Sequence, residues 1–321
     1  MTERELEGAF DAEPLRAAGA VALDSIEAAP VSIEPINRGN RKQTAIARFG
    51  TRAPVVVQVC PERSWLQTEA AVLRAIRDRT TVPVPPVLTA GTHDGIAYLL
   101  TAYVAGDDLH GVFTSLDRAT RRTLVRWFGT ALANLHEAFV FDAYGRLVCS
   151  DNTLVAQHHH WGEWFQAYGR QAIDRLPGAF DGLRDELTAL FESAPDTDPT
   201  ARLFPWDFRP GNALIADGEI TAVLDWEAPL AAAPALSVAK AEYLIADWYV
   251  ADPEPLRDAF MTGYTAVRAY PSIEPAHRVA AIAESAVDSA GRVTNPRYPP
   301  VDRADAVAFH RTALKDVLDT A

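Results

Sequence analysis

The stretch Leu203–Glu227, LFPWDFRPGNALIADGEITAVLDWE, decides how this chain is read. In it Asp207, Asn212 and Asp225 follow one another five and then thirteen residues apart. Pro205, Pro210 and Gly211 interrupt regular backbone around the first two. Ala213 to Ala216 is a short apolar run, Asp217-Gly218 is a two-residue hairpin signal, and Ile220 to Leu224 is rich in β-branched residues and ends at Asp225. The pattern predicts loop, strand, turn, strand, with two acids and an amide carried to one end of a hairpin. A carboxylate base beside two hard oxygen donors suits Mg²⁺ and a phosphate. Singly, each of these is an ordinary turn residue; together, at these spacings, they carry chemistry.

Outward from this stretch, the rest of the chain reads as α+β. Residues 4–19 place apolar positions at helical spacing and predict an N-terminal helix. Three strand-like segments follow, Val31 to Arg38, Gln43 to Phe49 and Ala53 to Cys60. Ser64 to Asp78 has a helical pattern with Ser64 as its N-cap, and Pro83, Pro85 and Pro86 end it. Val87 to Ala90 and Ile96 to Val104 read as strands. After the break at Ala105-Gly106-Asp107-Asp108 the chain is expected to be mostly helical, apart from the hairpin. There is no internal repeat and no low-complexity tract.

The Asp207, Asn212 and Asp225-Trp226-Glu227 set resembles the catalytic core of the aminoglycoside phosphotransferase and choline kinase family, whose pattern is His-Gly-Asp-x-x-x-x-Asn followed by an apolar strand ending Asp-Trp-Glu. The segment 121–136, RRTLVRWFGTALANLH, is similar to the family's helix ending Leu-x-x-Leu-His. The resemblance implies a protein-kinase-like fold with a small β-rich lobe over residues 1–104 and a larger, mostly helical lobe over 105–321. It implies Asp207 as the base that accepts a hydroxyl proton, and Asn212 and Asp225 as Mg²⁺ ligands. ATP or GTP would be the co-substrate and a small hydroxylated molecule the acceptor. Gly39, Asn40, Arg41 and Lys42 fall where the family's phosphate-covering loop lies. Thr101, Ala102 and Tyr103 fall at the hinge whose backbone meets the adenine edge.

The chain departs from that pattern in places. The family's third strand carries a Lys or Arg that pairs with a helix Glu; here Gln58 stands there, and Glu69 on the following helix lacks that partner. Arg41 or Lys42 is expected to supply the missing cation. Pro205-Trp206 replaces His-Gly, and Ser237 stands near the place of a helix Asp that helps the His to hold the catalytic loop. A second reading, a pseudokinase-like nucleotide-binding or regulatory module without turnover, rests on these departures.

Composition narrows the partners. A net charge of −13 makes nucleic acid or an anionic membrane an unfavourable partner. No apolar run reaches the length of a membrane span, the first residues show no signal pattern, and two distant cysteines fit a reducing compartment; a cytoplasmic protein is expected. Only Lys42, Lys240 and Lys315 are lysines among 30 basic residues. An acidic, lysine-poor composition is similar to that of halophilic proteins, and predicts stability that rises with salt. His158-His159-His160 reads as a polar helix start before Trp161 and Trp164. Glu242, Asp247, Trp248 and Tyr249 read as packing aromatics and solvated acids, and Arg292 and Arg297 as ion-paired cations.

Overall fold

Proline fits only the first turn of a helix, and Pro14 sits in the first turn of α1 (Glu13–Asp24). The helix expected over 4–19 is therefore not continuous among the described residues: 7–12 are non-helical, and Pro14 starts a helix where the pattern placed the middle of one. The computed structural model describes residues 6–36, 42–151, 153–193, 198–297 and 300–321.

Behind α1 come β1 (Ser32–Ile36), β2 (Gln43–Arg48), β3 (Val55–Cys60), α2 (Arg63–Arg79), β4 (Val87–His93) and β5 (Ile96–Ala102). The five strands form an antiparallel sheet in the order β1-β2-β3-β5-β4. Alternation decides its faces. Ala45, Ala47, Val55, Val57, Val59 and Leu100 are buried in one cluster with Leu15, Ala18 and Ala22 of α1. Thr44 and Gln58, opposite each other in register, belong to the other face. The cap of α2 is not Ser64: Glu62 precedes the helix without a side-chain bond to its backbone, and the Ser64 hydroxyl donates to the Glu62 carboxylate instead.

The chain continues through β6 (Asp107–Asp108), α3 (Arg118–Ala138), β7 (Val140–Phe141), β8 (Gly145–Arg146), β9 (Val148–Ser150), β10 (Thr153–Val155), α4 (Trp161–Asp174), α5 (Arg184–Glu192), β11 (Ala201–Phe204), β12 (Ala213–Ala216), β13 (Glu219–Val223) and β14 (Leu230–Ala232). It ends with α6 (Pro234–Glu242), a π-helical turn at Tyr243–Asp247, α7 (Glu254–Thr265), α8 (Pro275–Ala286) and α9 (Arg303–Thr320). Two compact units result. One joins Met1–Gly106 with Leu147–Val155 and Thr221–Ala228; the other holds Asp107–Arg146, Ala156–Ile220 and Pro229–Ala321.

The second unit is helical, but it contains more strand than its sequence suggests. Four short strands make a sheet in the order β7-β11-β14-β8. They are two to four residues long, too short for a period of two to be legible. The hairpin after β12 turns on Asp217 and Gly218, with φ of 53° and 82°, the left-handed pair that the sequence calls for. α3 and α7 cross closely, because Gly129 and Gly263 leave no side chain between their backbones. Among the described residues no helix is long and apolar enough to cross a membrane.

Candidate active site

In the first unit the charge chemistry gathers on Lys42, one residue before β2. Its ammonium lies 2.8 Å from Glu69 Oε2, 3.3 Å from Asp225 Oδ1 and 3.5 Å from Glu227 Oε2. Burial by itself would drive the proton off this lysine. The three carboxylates outweigh it and hold the pKa well above the ordinary lysine range. Glu69, on α2, is nearly fully buried, so this is a buried ion pair. Removing one partner of such a pair costs about 3–5 kcal/mol, because the other charge stays behind uncompensated. Glu69 thus has a cation, drawn from the loop before β2 and not from β3. Arg41, Gly39 and Asn40 lie outside the described residues. Gln58 shares a sheet face with this cluster, and its Oε1 is buried without a hydrogen-bond partner among the described residues.

Asp225 follows β13 in a left-handed conformation, φ 65°, and its side chain is 41% exposed. Trp226 next to it is buried and donates its indole N–H to Val223 O at 3.0 Å, which fixes the bend. At the expected hinge, the Ala102 N–H is given to Pro86 O at 2.9 Å and the Tyr103 N–H to Pro54 O at 3.2 Å. Those two donors meet an adenine edge only if these bonds break. Thr101 is buried at the end of β5.

In the second unit β11 leads into the loop that carries Asp207. Asn212 Nδ2 donates to both Asp207 O and Asp207 Oδ2, each at 2.9 Å. That commits the amide nitrogen and leaves the amide oxygen as the coordinating atom. Arg209 Nε donates to Asp207 Oδ1 at 2.7 Å. Burial pushes the Asp207 carboxyl up, but Arg209 and Asn212 overcome it and hold the pKa below the usual carboxylate range. The family pattern does not mark Arg209, although a cation two residues after a candidate base is a readable signal. Gly211 makes room for it: a Cβ there would stand 2.3 Å from the Arg209 guanidinium. Asn212 and Asp225 both offer hard oxygens, the donor chemistry Mg²⁺ takes.

Around the loop, Ser237 bonds another partner than a loop histidine. His136, fully buried, meets Ser237 Oγ at 3.1 Å through Nε2 and the Tyr264 hydroxyl at 2.7 Å through Nδ1. Burial, with Arg268 and Arg202 nearby, lowers its pKa to about 3, so the ring is neutral. Trp206 takes φ 52°, and Asp207 N–H donates back to Pro205 O at 2.6 Å, which closes a three-residue turn.

The remaining candidates are structural. His160 precedes α4, which begins at Trp161, and His158 pairs with Tyr144 through backbone hydrogen bonds. Glu242 accepts from Tyr270 and Arg278, and Asp247 is ion-paired with Arg257. Arg292 pairs with Asp288 at 3.0 Å, whereas Arg297 donates to the backbone carbonyls of Asp247 and Trp248. Asp247, Arg257, Arg278 and Arg297 line a cavity of about 1010 Å³ in this unit.

The solved structures similar to this chain share its fold. Aminoglycoside phosphotransferase APH(4)-Ia aligns over 100% of this chain and 99% of its own at 16% identity, with a TM-score of 0.66. A thermostable mutant of it, in a ternary complex with AMP-PNP and hygromycin B, aligns over 95% and 98% at 16% identity and TM-score 0.65. A putative fructosamine-3-kinase from Haemophilus somnus aligns over 95% and 98% at 14% identity and TM-score 0.62. The fold is thus the protein-kinase-like one, with a small antiparallel-sheet lobe and a larger helical lobe. A search of curated protein sequences returns no match. The model of the phosphotransferase enzyme family matches residues 32–276, most of the chain, with Lys42, Glu69, Asp207, Asn212 and Asp225 among them, and the chain belongs to that family.

Proposed function

We propose that the protein is a small-molecule kinase that transfers the γ-phosphate of ATP, or of GTP, to a hydroxyl of a metabolite. The observation that carries this reading is Lys42. A chain that has lost the strand cation still holds an ammonium against Glu69 and Asp225, at 2.8 and 3.3 Å. A cation kept there serves the phosphates of a nucleotide, and the complete set of Asp207, Asn212 and Asp225 argues for turnover beyond binding. The nucleotide analogue and aminoglycoside bound by a relative of the same fold support the class of co-substrate and acceptor.

In this reading Asp207 is the base. Arg209 and Asn212 keep it ionised and aimed, so it accepts the proton as the acceptor oxygen bonds to the γ-phosphorus. The bond from that phosphorus to the β–γ bridging oxygen breaks, and ADP leaves with the electron pair. Asn212 and Asp225 would hold Mg²⁺, which when bound offsets charge on the phosphates. Lys42 adds a further positive charge on the nucleotide side.

The test is a melting experiment with Mg-ATP and Mg-GTP on the wild type and Asp225→Ala, coupled to ADP or GDP release. At 100 times its Kd a ligand adds about 2.7 kcal/mol of stability. A shift that requires both Mg²⁺ and Asp225 is expected. Asp207→Asn should keep that shift while turnover falls by about 10²–10⁴. A shift without ADP or GDP release would hand the case to the nucleotide-binding pseudokinase reading, no shift with either nucleotide would overturn the kinase reading, and full turnover in Asp207→Asn would remove Asp207 as the base.

A further inference from the structure

We infer that Lys240 is a positioning residue for Asp207: its ammonium, packed on the face of Trp206, clamps the turn that aims the carboxylate. The contact stands on geometry alone; the reaction that the aimed carboxylate serves rests on the kinase reading above. Trp206 is a bulky residue in the left-handed region, φ 52°, and such a conformation persists only where its surroundings over-determine it. Two contacts do so. The indole N–H donates to the Tyr168 hydroxyl at 3.2 Å, and Lys240 Nζ lies 3.8 Å from the ring centroid.

Lys240 itself asks for an explanation. It is 2% exposed, and among the described residues its Nζ has no hydrogen-bond acceptor. A buried ammonium without a partner is costly, and the indole face is the counterpart at hand. The charged groups around it are Glu284, Asp207, Arg175 and Arg209. Glu284 is committed to Arg175, 2.6 Å away, and Asp207 to Arg209. Burial draws the lysine's pKa down to about 8, against the pull of Glu284 and Asp207. The clamp therefore weakens as pH rises past that value. Ser237 and Lys240 sit three residues apart on α6, on one side of the helix. The first bonds His136 and the second packs on Trp206, so the loop's contact with this helix is made through Lys240.

The chain has three lysines, so protein labelled with ¹³C-lysine gives few signals, and the Lys240 signal is the one lost in Lys240→Met. It should be shifted upfield by the indole ring, titrate near pH 8, and return to an ordinary position in Trp206→Leu. A Lys240 signal with no ring shift would overturn the contact whether or not the protein turns over nucleotide. In parallel, ADP release from Mg-ATP should show kcat lowered by about 10–100-fold in Lys240→Met, with KM for ATP unchanged. Lys240→Arg should recover kcat and abolish the decline that the wild type shows above about pH 8. Unchanged kcat in Lys240→Met, or the same alkaline decline in Lys240→Arg, would overturn the positioning role. A wild type that neither binds Mg-ATP nor releases ADP strikes the kinase reading instead, and the lysine spectrum still decides the contact.

Discussion

At the scale of single residues, Lys42 and Gln58 form a natural exchange experiment. The cation that Glu69 pairs with comes from the segment before β2, while the β3 position on the same sheet face holds a neutral amide whose oxygen is buried and, among the described residues, unpaired. Lys42→Ala should leave three carboxylates without their cation. Charge-assisted bonds are worth about 1.5–3 kcal/mol, so Mg-ATP affinity should fall by about 10–100-fold. Adding Gln58→Lys to Lys42→Ala should restore most of it, since the new ammonium starts on the same face. Isothermal titration of the three proteins decides the matter, and undiminished affinity in Lys42→Ala would end the idea that this residue serves the nucleotide. The sequence named Lys42 and Arg41 as alternatives for this role. Only side-chain packing shows Lys42 against Glu69.

At the scale of elements, the crossing of α3 and α7 sets how closely the helices of the second unit approach. A Cβ on Gly129 would lie 2.0 Å from Phe260 O, and one on Gly263 would lie 1.9 Å from Arg126 O. Both obstacles are backbone, which cannot step aside as a side chain end can, and Thr130 Oγ1 already bonds Gly263 O at 3.0 Å across the crossing. Gly129→Ala and Gly263→Ala should therefore each destabilise the protein by about 1–3 kcal/mol, although alanine favours helices. Urea unfolding measures it; a stabilised variant would show that the helices can separate at little cost. Long periodic elements such as α2 and α3 are readable in the sequence, because periodicity needs length. The short strands β7, β8, β11 and β14 were not, since a run of two to four residues carries no period and is fixed by its neighbours.

At the scale of the whole molecule, charge and buried histidines govern stability. With a net charge of −13, the folded chain repels itself, and at about 1 M salt the screening length falls to about 3 Å. Tm should rise with KCl into the molar range; a flat profile would remove the salt-adapted interpretation of the composition. Acid should act in the other direction. Burial lowers the pKa of His136 to about 3 and of His277 and His310 to about 4. Unfolded histidine takes up its proton near pH 6.5, so between that value and about 4 the unfolded chain binds more protons than the folded one. The stability contributed by neutral burial is complete above pH 6.5 and is lost as pH falls toward 4. Each such histidine gives a slope of about 1.4 kcal/mol per pH unit. In His310 the Thr294 carbonyl, 2.9 Å from Nε2, can only accept, so Nδ1 takes the Tyr243 hydroxyl proton and has no room for its own. His310→Gln should flatten the urea-unfolding slope between pH 6 and 4.5, measured in molar KCl, and an unchanged slope would show that this ring is protonated in the folded state.

The sequence by itself determined the family, the two-lobed fold class, and the loop–hairpin that carries Asp207, Asn212 and Asp225. Those depend on residue order and spacing, which local backbone physics reads directly: prolines and glycines at the breaks, Asp217-Gly218 at the turn, β-branched residues before Asp225. Tertiary structure alone decided that Lys42 pairs with Glu69, that Arg209 charges and orients Asp207, and that Lys240 lies beneath Trp206. It alone brought Leu147–Val155 and Thr221–Ala228 into the first unit. These are contacts between residues distant in the chain, or choices among rotamers, and their energies come from burial and charge pairing that exist only once the chain has packed.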